Sequence, residues 1–218
     1  MNLLLAISYL IPFLFLGIFI GRIQKKFILF ILWGILAAIP VYLIEPFLFS
    51  AVQDSIPLSL APLTISPIVE EFFKALPLII LALVAGHQSD RDIFLYAMAS
   101  GIGFAVIETG LTLPPSFALV LTHSFSTALM HGCTCGIIGY GIVLIGNSSR
   151  RILPTLLFGF YTLAVTVHAL YNTLGSAVFG LTGFLIDLVF PFVLFLILLL
   201  CYHIDMPAIF SRNKPAAG

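Results

Sequence analysis

Ser66-Pro-Ile-Val-Glu-Glu-Phe-Phe-Lys-Ala-Leu-Pro-Leu-Ile-Ile-Leu-Ala-Leu-Val84 decides how this chain is read. After Lys74 it is apolar enough to lie in hydrocarbon, yet Glu70, Glu71 and Lys74 stand at its head. A charged residue at a membrane-helix centre costs roughly 2.5–3.5 kcal/mol even on the gentler insertion scale. The same tension recurs at Glu108, His131, His168 and the amide Asn172, all inside apolar stretches. A chain that keeps such groups in lipid is expected to pair them around a cavity, and each is by default a functional-site hypothesis.

The composition agrees with a bilayer environment. The 218 residues are 61% hydrophobic and only 8% charged, against about 25% charged in soluble domains. Mean hydropathy is +1.20. The reading is an all-α polytopic membrane bundle forming one domain over 1–210, with a short flexible tail at 211–218 and no loop long enough for a soluble core. Nine basic residues balance nine acidic ones and form no cluster, so no nucleic-acid partner is expected. Cys133, Cys135 and Cys201 lie in apolar segments and read as packing residues rather than a disulfide framework or a zinc finger.

Segments near 2–20, 27–48, 64–85, 93–112, 117–145, 152–175 and 183–203 each have the length to cross a bilayer. The first is read as a retained helix rather than a signal peptide, because its basic run Arg22–Lys26 follows it. With the N-terminus outside, eight of the nine basic residues fall in inside segments: Arg22, Lys25, Lys26, Arg91, Arg150, Arg151, Arg212 and Lys214. The ninth is Lys74 within a span. That positive-inside pattern predicts seven spans, N-terminus out and C-terminus in.

The polar residues then fall in the outer half of the membrane. Proline at the first helical position, with Ser66 as cap, starts the third span and puts Glu70 and Glu71 in its first turns. Glu70 and Lys74 are four apart in the favourable acid-before-base order, so the expected pair is Glu70–Lys74, leaving Glu71 free. Glu108 lies about 6 Å, and His168 about 10 Å, below the outer ends of their helices. His131 lies deeper, and Gly132 and Gly136 beside it make a small-xxx-small face for close helix packing. His168 and Asn172 share a helix face. His123, Glu45 and Asp54 read as interfacial, and Asp187 is unassigned. Carboxylates with two imidazoles suit a metal site with a glutamate base. They equally suit a metal-free site in which a glutamate activates water and histidines stabilise an oxyanion.

Four short motifs occur in order on consecutive spans: Glu70-Glu71-x-x-Lys74, Phe104-x-x-x-Glu108, His131 in a segment ending Gly136-x-x-Gly-Tyr140, and His168-x-x-x-Asn172. Over residues 64–175 this set resembles the PrsW intramembrane proteases, in a superfamily with the CPBP and CAAX prenyl endopeptidases and the gamma-secretase scaffold subunit. Glu108 stands where the CAAX type has histidine, and with Lys74 it favours the PrsW branch. The resemblance implies peptide-bond hydrolysis on the extracytoplasmic side, and the short loops, with no targeting signal read, suit a prokaryotic cytoplasmic membrane. The substrates the resemblance implies are single-pass membrane proteins such as anti-sigma factors. On it, Glu71 with Glu70 activates a water, Glu108, His131 and His168 are metal ligands (zinc the expected ion) or hold the water and oxyanion, Asn172 orients, and Lys74 neutralises Glu70. The rival readings are a non-catalytic scaffold like the gamma-secretase subunit and a proton-coupled transporter, the latter weakened by the lack of internal repeats.

Overall fold

The computed structural model describes residues 25–84, 90–112, 117–146, 153–177 and 180–212, together with Leu3, Ala6, Leu10 and Leu14. Regular structure among them is wholly α-helical: α1 (Lys25–Val52), a single turn α2 (Ala61–Thr64), α3 (Ser66–Val84), α4 (Asp90–Leu111), α5 (Phe117–Gly146), α6 (Leu153–Ala177) and α7 (Gly180–Arg212). A helix satisfies its own backbone, which is what an apolar span in lipid requires.

Five helices are long and apolar enough to cross a membrane: α1 and the stretches Asp92–Leu111, Phe117–Leu144, Pro154–Ser176 and Leu181–Tyr202. The chain is an integral membrane protein. The expected span at 64–85 is helical as α3, but its charges at Glu70, Glu71 and Lys74 remove it from that class by composition. The expected span at 2–20 lies outside the described residues apart from the four positions named above. At the other end α7 continues through Arg212, into the stretch expected to be tail, and residues 213–218 lie outside the described residues.

The faces are inverted relative to a water-soluble bundle. On α1, Leu29, Leu32, Leu36, Ile39, Leu43 and Phe47 point outward, while Gly34, Ala37, Ala38, Val41 and Glu45 are buried. Small residues face the protein and large apolar ones face lipid, because apolar surface gains nothing by leaving a hydrocarbon solvent while close backbone approach does gain dispersion. α4 and α5 form the centre, with α1, α3, α6 and α7 packed around them.

Glycines set the closest crossings. A Cβ on Gly34 of α1 would lie 2.0 Å from the Ser100 carbonyl oxygen of α4, and one on Gly103 of α4 would lie 2.2 Å from that of Ile31. A Cβ on Gly101 would lie 1.9 Å from the His131 carbonyl oxygen. The Gly132–Gly136 face meets Ile102 and Met98 of α4 and Leu198 of α7, as its small-xxx-small spacing requires.

Pro77, inside α3, has no N–H to give to the Phe73 carbonyl one turn earlier. Trp33 of α1 supplies the missing donor, its Nε1–H reaching Phe73 O at 2.9 Å. One turn of α3 is thus fastened to α1 beside the charged residues.

Candidate active site

α3 presents Glu70, Glu71 and Lys74 to the bundle, α4 presents Glu108, α5 His131 and Thr134, and α6 His168. The side chains of Glu71, Lys74, His131 and His168 are fully buried, Glu70 nearly so, and that of Glu108 is 26% exposed. All six ionisable residues expected at the site therefore converge.

Their order differs from the expectation in two ways. Lys74 Nζ lies 2.7 Å from Glu71 Oε1 and 3.5 Å from Glu70 Oε2, so Glu71, not Glu70, is its closer partner. Both spacings share a helix face, and partners from other helices decide between them. Glu71 Oε1 also accepts from His168 Nδ1 at 2.8 Å and from Thr134 Oγ1 at 2.9 Å. Far from being free, Glu71 ties α3 to α5 and α6. The second difference is in the group that could hold a metal ion. It is Glu70, His131 and His168, whose ligand atoms lie within 4.8 Å of one another, rather than Glu108 with the two histidines.

The proton placement explains that grouping. An ammonium only donates, so with Lys74 Nζ 2.6 Å away His131 Nδ1 is an acceptor. His131 Nε2 then carries the hydrogen, which it donates to Glu108 Oε2. Glu71 is likewise an acceptor, so His168 Nδ1 carries hydrogen and its Nε2 bears a lone pair. Each imidazole gives its proton outward to a carboxylate and turns its lone pair inward, the arrangement that fixes tautomer and orientation in histidine metal ligands.

At the focus, Glu70 Oε2 lies 3.8 Å from His168 Nε2 and 3.9 Å from His131 Nδ1. Neither Glu70 Oε2 nor His168 Nε2 has a hydrogen-bond partner among the described residues. Two buried acceptors facing each other call for a cation, a proton or a water between them. One carboxylate and two imidazoles are a ligand set used by zinc and other divalent metals. Tetrahedral zinc, at roughly 2.0–2.1 Å per ligand, would ask Glu70 Oε2 and each histidine nitrogen to close in on one another by about half an ångström. Lys74 Nζ would also have to release His131 Nδ1.

A family model described as PrsW family intramembrane metalloprotease matches residues 24–201. The chain belongs to the PrsW family of intramembrane metalloproteases. Neither a search of curated proteins nor one of solved structures returns a match. Membership bears out the resemblance drawn from the four motifs, and the buried Glu70, His131 and His168 could hold the metal that the family description implies.

Asn172 stands one turn from His168 on α6, half-buried, and makes no side-chain hydrogen bond among the described residues. Glu45, read from sequence as interfacial, is buried on α1. Its register with Val41 and Ala38 on the small-residue face was the available signal. The sequence reading also passed over two supports of this PrsW site, Thr134 and Ser100, while the motif residue Phe104 proves to be a third. Thr134 bonds Glu71, Ser100 Oγ donates to the Lys74 carbonyl at 2.8 Å, and the Phe104 ring has Lys74 Nζ 4.7 Å from its centroid. Thr134 stands three residues from His131 and Ser100 four from Phe104, spacings that could have marked both.

Proposed function

We propose that this protein is an endopeptidase that hydrolyses peptide bonds of single-pass membrane proteins close to the outer face of a prokaryotic cytoplasmic membrane. The observation that carries the reading is the pair of unpartnered buried acceptors, Glu70 Oε2 and His168 Nε2, turned toward one focus with His131. The outer-side location is supported by the positive-inside pattern, which puts the Ser66 end of α3 outside.

Glu70, His131 and His168 would hold the ion, and zinc suits their chemistry. When bound, such an ion lowers the pKa of a water and polarises a carbonyl. The chain's own residues do the rest. Glu108 and Glu71 hold the two imidazoles in their inward tautomers. Glu71 keeps one oxygen, Oε2, buried and without a hydrogen-bond partner, able to take a proton from water. Hydroxide adds to the scissile carbonyl carbon, and the proton passes to the leaving nitrogen as the C–N bond breaks. The half-exposed Asn172, outward of His168, is placed to meet the substrate backbone.

A second reading has its own support. Lys74 Nζ, 2.6 Å from His131 Nδ1 and 3.5 Å from Glu70 Oε2, is a cation already built into the centre. In that case Glu70 takes the proton from water directly and no ion is needed. Elemental analysis of protein purified without chelators separates the two. Near-stoichiometric zinc, lost in both His168→Ala and Glu70→Gln, supports the metal centre. Cleavage of a single-pass substrate by metal-free protein supports the second reading. No cleavage of any single-pass substrate by metal-replete protein sinks both.

A further inference from the structure

Ser66, Glu70 and Lys74 recur every four residues and so stand on one face of α3, a polar file running from the helix end to the focus. Ser66 and Glu70 are both buried. From α1, Glu45 faces the start of the file. α1 packs directly against α3, and the Glu45 carboxyl lies within electrostatic range of Ser66, Glu70 and Glu108. Glu45 is 8% exposed, and its Oε1 has no hydrogen-bond partner among the described residues.

No cation of this chain is placed to serve that oxygen among the described residues. The basic residues of α1 are Lys25 and Lys26, at its opposite end, about 30 Å away along the helix axis. Lys74 is engaged with Glu71, Glu70 and His131. The buried neighbours of Glu45 on its own helix face are Val41 and Ala38. Buried polar atoms without protein partners are ordinarily met by ordered water, provided several polar groups surround it. Here Glu45, Ser66 and Glu70 supply those groups in sequence, and the last opens on the focus.

We infer that Glu45 and Ser66 hold water and form, with Glu70, the access path by which water reaches the centre from the outer side. Glu45 is a positioning residue on this path: it touches the arriving water, not the substrate. The role of the path in catalysis rests on the hydrolytic reading above; its occupancy by water does not.

Radiolytic footprinting tests the path on the full chain in mild detergent. Hydroxyl radicals made from bound water oxidise the side chains that the water touches. Phe104 is 1% exposed, yet it stands at the inner end of the file beside Lys74 and His131. Phe158 is 69% exposed, but to lipid. Phe104 is expected to be oxidised faster than Phe158 in the wild type. Glu45→Gln, which still binds water, should keep that labelling and restore kcat. Glu45→Leu should cut Phe104 labelling about fivefold, the equilibrium worth of one hydrogen bond. It should lower kcat with KM unchanged. Equal labelling of Phe104 in Glu45→Leu and wild type overturns the inference. So does a Phe104 that stays unlabelled in the wild type, a result that needs no variant to fold. A labelled Phe104 without cleavage activity would instead sink the protease reading and leave the water path standing.

Discussion

Replacing Lys74 by methionine should destabilise the protein sharply while leaving its packing nearly intact. Lys74 is fully buried, with Glu71 at 2.7 Å and Glu70 at 3.5 Å. Methionine fills a similar volume, so the change removes charge rather than bulk. Stripping one partner from a buried ion pair leaves an uncompensated charge and costs about 3–5 kcal/mol. For a chain of this size that corresponds to a fall in Tm of roughly 6–20 °C. The protein carries its own reporter, because the free thiols of Cys133 and Cys135 are buried. A thiol-reactive fluorogenic dye in mild detergent will light up as they emerge, above a steady background from the half-buried Cys201. The double variant Lys74→Met/Glu71→Gln removes both charges of the pair, and the introduced amide oxygen can still accept from Thr134 and His168. It should recover at least half of the loss. A single variant that melts within a degree or two of wild type would refute the reasoning. A double variant as unstable as the sum of the two single ones would refute it as well.

The two adjacent glutamates should separate by phenotype. Glu70→Gln keeps the Lys74–Glu71 pair, so with both proteins metal-free it should melt near wild type, while its cleavage falls about 10²–10⁴-fold. Glu71→Gln should lower Tm as well as activity, and equal melting of the two variants would show that Glu71 has no structural role. Gly101→Ala drives a methyl into the His131 carbonyl, so it should cost roughly 1–3 kcal/mol and displace His131, read as loss of bound metal. Trp33→Phe leaves the Phe73 carbonyl without a donor and should cost about 1–3 kcal/mol, seen as a lower midpoint in the same dye assay. Chelation should lower both activity and Tm, and zinc should restore both; a chelated protein at full activity would point to the Lys74-based centre.

Much of the fold was legible because a bilayer leaves only one common solution for a long apolar run. The segments at 27–48, 93–112, 117–145, 152–175 and 183–203 each coincide with a helix long enough to span. The site residues were legible for a related reason: Glu70, Glu71, Lys74, Glu108, His131 and His168 have no business in hydrocarbon unless they meet. How they meet was not legible. A helical wheel puts Lys74 within reach of either glutamate, and the choice of Glu71 comes from Thr134 and His168 on other helices. Whether Glu70 or Glu108 joins the two imidazoles depends on which ring nitrogen turns inward, a property of the assembled bundle alone. The interfacial reading of Glu45 concerned depth alone; that its carboxyl turns into the bundle follows from its register with Val41 and Ala38.

The hub at Glu71 also sets an order of events during synthesis. α3 holds three charges, each adding roughly 2.5–3.5 kcal/mol to the cost of insertion by itself. Lys74 relieves part of that cost from within the helix, and the rest of the relief comes from Thr134 and His168, the latter 97 residues beyond Glu71. Ribosomes add about 5–20 residues per second, so roughly 5–20 s separate the appearance of Glu71 from that of the histidine that receives it. For that interval α3 is a poor membrane helix waiting for its neighbours. The insertion machinery must shelter it, or leave it at the membrane surface until α6 arrives. Nascent chains that stop short of α6 should therefore carry an unburied α3 and be the ones that quality-control proteases find first.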